Sequence, residues 1–220
     1  MNPTDMEYTL ARELTDLPDE VRAAPAPVIP DVSEPFGLRL VDSAGDDPET
    51  IAEWMSRPHL LSTWEQPWPA SRRRADCRAQ LAGTYSRPCI LSLDYAAIDR
   101  PELGRRDIGY LELYRAAKDE IARLYVADPH DIGFHIATAD PELLGRGVIP
   151  AVMMQLMAAI FAADPRCRRI MGDPDHRNAA VLRAAEKEGW QHLGLFDVRP
   201  DRRIALVTLP RTPQDIPSIR

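Results

Sequence analysis

The chain predicts an α/β (α+β) fold, a mixed central sheet of about seven strands with helices on both faces. Three observations carry this. Segments with a two-residue apolar period are interleaved with segments of helical period. The connections include both a hairpin and strand–helix–strand crossovers, so the sheet mixes strand directions. Prolines crowd the ends, at 25, 27, 30 and 35 and again at 210, 213 and 217, leaving the interior able to pair. Residues 1–35 accordingly read as an arm with one short helix over about 6–23, residues 36–209 as the folded domain, and 210–220 as a tail.

Within the domain, "FGLRLVD" (36–42) alternates as a strand, and "PETIAEWMSRPHLLSTW" (48–64) is a helix interrupted near Pro58. "SRRRADCRAQLAGTY" (71–85) is a second helix. "PCILSLDYAAI" (88–98) and "RDIGYLELYRA" (106–116) are strands joined as a hairpin across "DRPELGR". After a link without clear period, "DIGFHIATA" (131–139) is a strand and "GVIPAVMMQLMAAIFAAD" (147–164) a strongly apolar helix. "CRRIMGDP" (167–174) is a strand, and "NAAVLRAAEKEG" (178–189) is a helix with Asn178 at its entry and Gly189 at its end. "WQHLGLFDV" and "RIALVTLP" close the pattern as two strands.

The composition, 220 residues with 45% hydrophobic and 28% charged, is that of a soluble globular domain with one sizeable core. No apolar run reaches the ~20 residues of a membrane span. The first residues carry acids and no basic start, so neither a secretory nor a transit peptide is expected and the cytoplasm is the expected location. A formal charge of -7 argues against nucleic acid as a partner of the whole chain. Two local arginine clusters, Arg72 to Arg74 and Arg166 to Arg169, stand against that acidic background. The three cysteines lie far apart and read as reduced structural thiols.

Two stretches bear chemistry. "PELLGRGVIPAVMM" (141–154) turns on Gly145 and Gly147 into a helix whose N-terminus favours an anion, with Arg146 between the glycines. A bare strand-to-helix turn is the more common explanation of two such glycines, and the dinucleotide pattern GxGxxG is absent. In "DIGFHIATAD" the strand period sets His135 beside Gly133 and Ala137 on one face. On that strand alone a satisfied core histidine is the simpler account. Asp173 alters the balance, because it ends the neighbouring parallel strand and open sheets bind ligands at their strand C-termini. Asp173, Asp175 and His176 are not expected to converge on a metal, since Pro174 turns the chain between them.

Together the loop "LLGRGV" and the helix "NAAVLRAAEKEGW" resemble the GCN5-related N-acetyltransferases over residues 36–209. "EWMSRPHLLSTWE", "GYLELYRAAKD", "ADPHDIGFH" and "RRIMGDPDHRNAAVLR" are similar to its siderophore branch, and the likeness to mycobactin-type lysine N-acyltransferases extends into "ARELTDLPDEVR". The resemblance implies a sheet with two splayed parallel strands at a cofactor cleft, and acyl transfer to the N6 nitrogen of lysine or N6-hydroxylysine in siderophore assembly and iron acquisition. It implies acyl-coenzyme A or an acyl-phosphopantetheine carrier protein as donor, with no metal. An acyl carrier protein would dock on the arginine clusters.

Residue by residue, it places the base and its acidic partner on His135 and Asp173. It places the phosphates on the backbone of Gly145, Arg146 and Gly147, aided by Arg177, Asn178 and Arg183. The acceptor side falls on His59, Trp64, Glu65, Glu112 and Tyr114, although the tryptophans read equally as core residues and Glu112 as an exposed strand residue. Two departures stand out: Ala185 replaces the tyrosine many relatives use as general acid, and Glu142 stands where Gln or Arg is usual. Alternatives are a related acceptor, such as an aminoglycoside or polyamine, or a non-catalytic module that binds acyl thioesters.

Overall fold

The computed structural model describes residues 8–64 and 66–220, the side chains of residues 62 and 63 excepted. A single seven-stranded sheet runs through it in the order β1-β2-β3-β4-β5-β7-β6. Its strands are β1 (Phe36–Leu40), β2 (Ser86–Asp94), β3 (Arg105–Arg115), β4 (Ile132–Thr138), β5 (Arg169–Gly172), β6 (Gln191–Arg199) and β7 (Arg202–Pro210). All pairings are antiparallel except β4 with β5, which the helix α5 (Val148–Ala163) connects as a crossover.

Strand alternation divides the core. Ile90, Tyr110 and Ala137 face Ile51, Trp54, Met55 and Cys77 on the helices α2 (Asp47–Met55) and α4 (Ala70–Ala82). Their neighbours Cys89, Leu111 and Phe134 face the opposite way, onto Leu156, Met157 and Ile160 of α5. Helix α6 (Ala179–Lys187) adds Leu182 and Ala185 to that second cluster, beside Trp190. Helix α3 (Pro58–Trp64) follows a break at the expected proline, where the ring has no N–H to continue α2.

The arm differs from expectation. Among the described residues its helix, α1, spans Asp19–Ala23, and the expected start near residue 6 lies outside them. Upstream the backbone is spent on tertiary pairing: Glu13 forms an isolated bridge with Asp119, Leu14 N–H donates to Lys118 O at 2.9 Å, and Glu120 N–H donates to Arg12 O at 2.9 Å. Pro18 further disfavours helical φ/ψ at Leu17. The link after β3 that showed no period is the arm's seat, made of short 3₁₀ turns at Ala116–Lys118 and Glu120–Arg123. Buried Lys118 donates to the carbonyls of Arg22 and Ala24, and buried Arg115 to Pro25 O and Asp164. The tail is likewise docked: Ile219 bridges Tyr125, and Arg169 donates to Asp215 O at 2.8 Å.

The β4–β5 pairing is short. It holds at Ile132 with Ile170 and Gly133 with Met171, after which β4 continues to Thr138 without β5 alongside. Ala139 N–H donates to Ile108 O and Ala116 N–H to Asp131 O, so odd-numbered positions of β4 point their polar groups at β3. By alternation the N–H and C=O groups of Phe134, Ile136 and Thr138 point into the gap. The sheet therefore opens a cleft at the point where His135 and Asp173 stand.

Candidate active site

His135 sits opposite Glu112 in the β3–β4 register, and Tyr114 sits opposite Gly133. Directly opposed residues share a face, so three functional side chains are grouped by register alone. Gly133 makes the grouping possible: a Cβ there would lie 2.2 Å from the Tyr114 ring. The ring passes over that glycine and stacks on the imidazole, centroids 4.7 Å apart and planes 17° off parallel. Its hydroxyl donates to Asp173 Oδ1 at 3.0 Å. We therefore expect Gly133→Ala to displace Tyr114, cost about 1–3 kcal/mol in overpacking and lower turnover, which thermal melting and acyl-transfer assays would read together.

Asp173 lies just past the end of β5, its carboxylate 2.9 Å from His135 Nε2. It also accepts from Arg202 at 2.6 Å and from Arg12 of the arm. Burial opposes its ionisation, but Arg12, His135 and Arg202 outweigh burial and hold the carboxyl well below its ordinary value. An ionised Asp173 only accepts, so Nε2 facing it carries hydrogen and the lone pair falls on Nδ1. Nδ1 looks toward Glu112 Oε2 at 3.7 Å. The imidazole is 19% exposed and the Asp173 carboxyl 1%, so an incoming substrate meets the ring and not the acid.

Glu112 is half-buried rather than an exposed strand residue. It accepts from Tyr110 at 2.8 Å and Gln80 at 3.1 Å. Burial works against its charge, yet the contacts with His135, Arg73 and Tyr110 bring it down to about 2. On His135, burial and the Arg12 charge disfavour protonation, while Asp173 and Glu112 favour it and prevail, leaving the ring a stronger base than a free imidazole. Next to Glu112 is a recess of about 20 Å³, lined among others by Arg12, Gln66, Trp68, Asp76 and Gln80. That is room for about one water-sized group.

Trp64 and His59 reach the same cleft from α3. Trp64 meets the His135 ring edge-on at 6.0 Å and donates to Ile136 O, while His59 Nε2 lies 2.9 Å from Thr138 O. Both occupy gap-facing carbonyls of β4. Glu65, the remaining acceptor-side candidate, lies outside the described residues.

At the entry to α5, Gly145 and Gly147 adopt φ of +73° and +78°, with no atom within 4 Å of a would-be Cβ. Among the described residues no protein acceptor takes the N–H groups of Gly145, Arg146 or Gly147. An open, positively ended cradle of this kind suits the phosphates of a coenzyme A-type thioester. Arg146 and Arg183 are exposed. Asn178 instead caps α6, accepting from Val181 N–H at 3.2 Å, and Arg177 is held by Asp175 at 2.8 Å. The Asp175 carboxylate is engaged by Arg177 and His176 Nδ1 faces Arg203 O. Ala185 packs into the core below the cleft and offers no proton to a leaving thiolate.

The arginine clusters are split between core and surface, with Arg72, Arg166 and Arg168 exposed. Arg73 and Arg169 are buried, Arg72 stacks on Trp68 at 3.8 Å, Arg74 pairs with Glu49 and Arg168 with Asp215. Sequence reasoning missed Arg12, Arg202, Asp76 and Gln80 altogether. The only signal for Arg12 was the likeness running into "ARELTDLPDEVR".

Comparison with known proteins gives the family and the fold. The family model described as an acetyltransferase (GNAT) domain matches residues 43–198. The lysine N-acyltransferase MbtK of Mycobacterium sp. (strain MCS) is 51% identical, covering 96% of this chain and 82% of the relative. The protein of the same name from Mycobacterium tuberculosis (strain H37Rv) is 48% identical over 93% and 91%. In fold, the crystal structure of aminoglycoside acetyltransferase AAC(6')-Ib with coenzyme A superposes with a TM-score of 0.65 at 24% identity, covering 82% of this chain and 96% of that one. The chain is an acyltransferase and belongs to the GNAT acetyltransferase family.

Proposed function

We propose that the protein transfers an acyl group from a thioester, acyl-coenzyme A or an acyl-phosphopantetheine carrier, to the N6 nitrogen of lysine or N6-hydroxylysine. The setting is mycobactin-type siderophore assembly in the cytoplasm. The observation that carries this reading is the His135 imidazole held between two carboxylates, Asp173 and Glu112, where β4 and β5 part. The names of the relatives supply the lysine class.

In this reading the thioester enters the gap, its phosphates on the cradle at Gly145 to Gly147 and its carbonyl oxygen toward the N–H groups of Ile136 and Thr138. The acceptor's ammonium is drawn to ionised Glu112. A lysine amine has a reference pKa of about 10.4, so it must lose a proton before it can attack. His135 Nδ1 takes that proton, and Asp173 stabilises the resulting imidazolium through Nε2–H. The free amine bonds to the carbonyl carbon, its second proton passes to water or to the departing sulfur, the oxyanion collapses, and the carbon–sulfur bond breaks. Sulfur leaves as a thiolate, whose reference pKa of about 8.5 makes a dedicated acid dispensable. This fits the alanine at 185. N6-hydroxylysine, far less basic, depends less on His135.

Free thiol released from acyl-coenzyme A in the presence of lysine or N6-hydroxylysine, with an N6-acylated product by mass spectrometry, is the expected result. Release only with an aminoglycoside or a polyamine moves the reading to those acceptors. Tight thioester binding without turnover on any acceptor overturns it in favour of a non-catalytic module. Glu112→Gln should raise KM for a cationic acceptor. It should also move the acid limb of the pH–rate profile to lower pH, because Glu112 favours the protonated ring. An unmoved limb would remove Glu112 from the account.

A further inference from the structure

Arg12 is the least expected member of the cluster. It belongs to the arm, at a backbone φ of +76° that side-chain-bearing residues rarely adopt. Its backbone carbonyl is tied by Glu120 N–H, and its neighbours are tied to Lys118 and Asp119. Those ties aim the guanidinium inward. Nη1 lies 2.9 Å from His135 Nε2 and 3.4 Å from Nδ1, Nη2 donates to Asp173, and the group faces the Tyr114 ring at 6.0 Å.

We propose that Arg12 is a positioning residue of the transfer reaction: its guanidinium, wedged against both imidazole nitrogens and clamped to Asp173, balances the carboxylates around His135 and makes the arm part of the active site. The inference rests on the reading of His135 as the base.

The charges facing the ring decide what Arg12 does. From β3 come Glu112 and the neutral phenol of Tyr114, from the end of β5 Asp173, and from the arm Arg12; among the described residues α3 sets the uncharged Trp64 against the ring, with His59 further along the gap at Thr138 O. Behind them Arg202 pairs with Asp173 and Glu120, while Glu120 and Asp119 flank Arg12. Two carboxylates against one imidazole would hold the ring protonated and useless for abstracting a proton. A guanidinium carries donors alone, so a neutral ring can offer it a lone pair and an imidazolium cannot. With Nε2–H held by Asp173, Arg12 faces the Nδ1 lone pair at 3.4 Å, and its positive charge beside the ring favours the neutral, working form. Asp173 remains close enough to receive the charge when it forms.

The test uses the full chain with Arg12→Gln and Arg12→Lys, reading His135 directly by imidazole NMR titration, with its signal among the five histidines assigned by loss in His135→Asn. In Arg12→Gln the titration midpoint and the acid limb of kcat/KM should both move to higher pH, with activity at neutral pH falling several-fold and returning as pH rises. Arg12→Lys should restore much of the wild-type midpoint. A midpoint that is unmoved or lowered in Arg12→Gln, with turnover reduced equally at every pH, would overturn the proposal and leave Arg12 a fastener of the arm. Failure of the base reading looks different: His135→Asn would then keep wild-type turnover, whatever the midpoint does in Arg12→Gln.

Discussion

His135→Ala is expected to lower kcat/KM for acyl transfer to lysine by about 10²–10⁴-fold, the usual worth of a positioned acid–base group. The wild-type acid limb should vanish with it. The ring has to be neutral to act, and Asp173 and Glu112 raise its protonation midpoint above the ordinary value despite burial and Arg12. Wild-type activity should therefore climb with pH through a midpoint above about 6.5, and the variant's residual rate should follow only ionisation of the amine itself. N6-hydroxylysine should lose less, because its nitrogen is not held as an ammonium. Equal losses on both acceptors would mean that His135 shapes the cleft and moves no proton.

Asp173→Ala is expected to hurt both stability and turnover. Tyr114, Arg12, Arg202 and His135 all converge on this one carboxylate, whose side chain is 1% exposed. Removing it takes the shared carboxylate from two half-buried guanidinium groups and leaves them crowded on Glu120 and Asp119. Breaking a buried pair costs about 3–5 kcal/mol, which for a domain of this size is a fall in Tm of roughly 10 °C. Asp173→Asn should be nearly as harmful, since its amide N–H groups would meet donors. The folded-state pKa of Asp173 is depressed, so its contribution is present above the unfolded value of about 3.9 and fades as pH falls further. The gap in Tm between wild type and variant should thus narrow in acid. A gap independent of pH would contradict the charge network.

Much of this was legible in the sequence for a physical reason. The period of two placed His135 on the open face of its strand beside small residues, and the acidic turn after Gly172 placed Asp173 at the next strand's end. Short-range chemistry wrote the glycines before α5 and the break at Pro58. Register was not legible. That Tyr114 covers His135 depends on its pairing with Gly133, on a different strand, which no local pattern encodes. The arm was least legible, because its backbone satisfies itself on Lys118 and Glu120 and leaves no period behind. Among the described residues the helix expected over 6–23 shrank to five for the same reason. The packing of the arginine runs was not legible either: composition reports charge, and only packing reports that Arg73 and Arg169 are buried.

The most direct measurement is a crystal structure with a non-hydrolysable ketone analogue of an acyl-coenzyme A. The acyl carbonyl should lie between β4 and β5, its oxygen within hydrogen-bond reach of Ile136 or Thr138 N–H and its carbon facing the His135 ring, with the phosphates at Gly145 to Gly147. An analogue bound elsewhere, with His135 still enclosed by Tyr114, Trp64 and Arg12, would contradict the account.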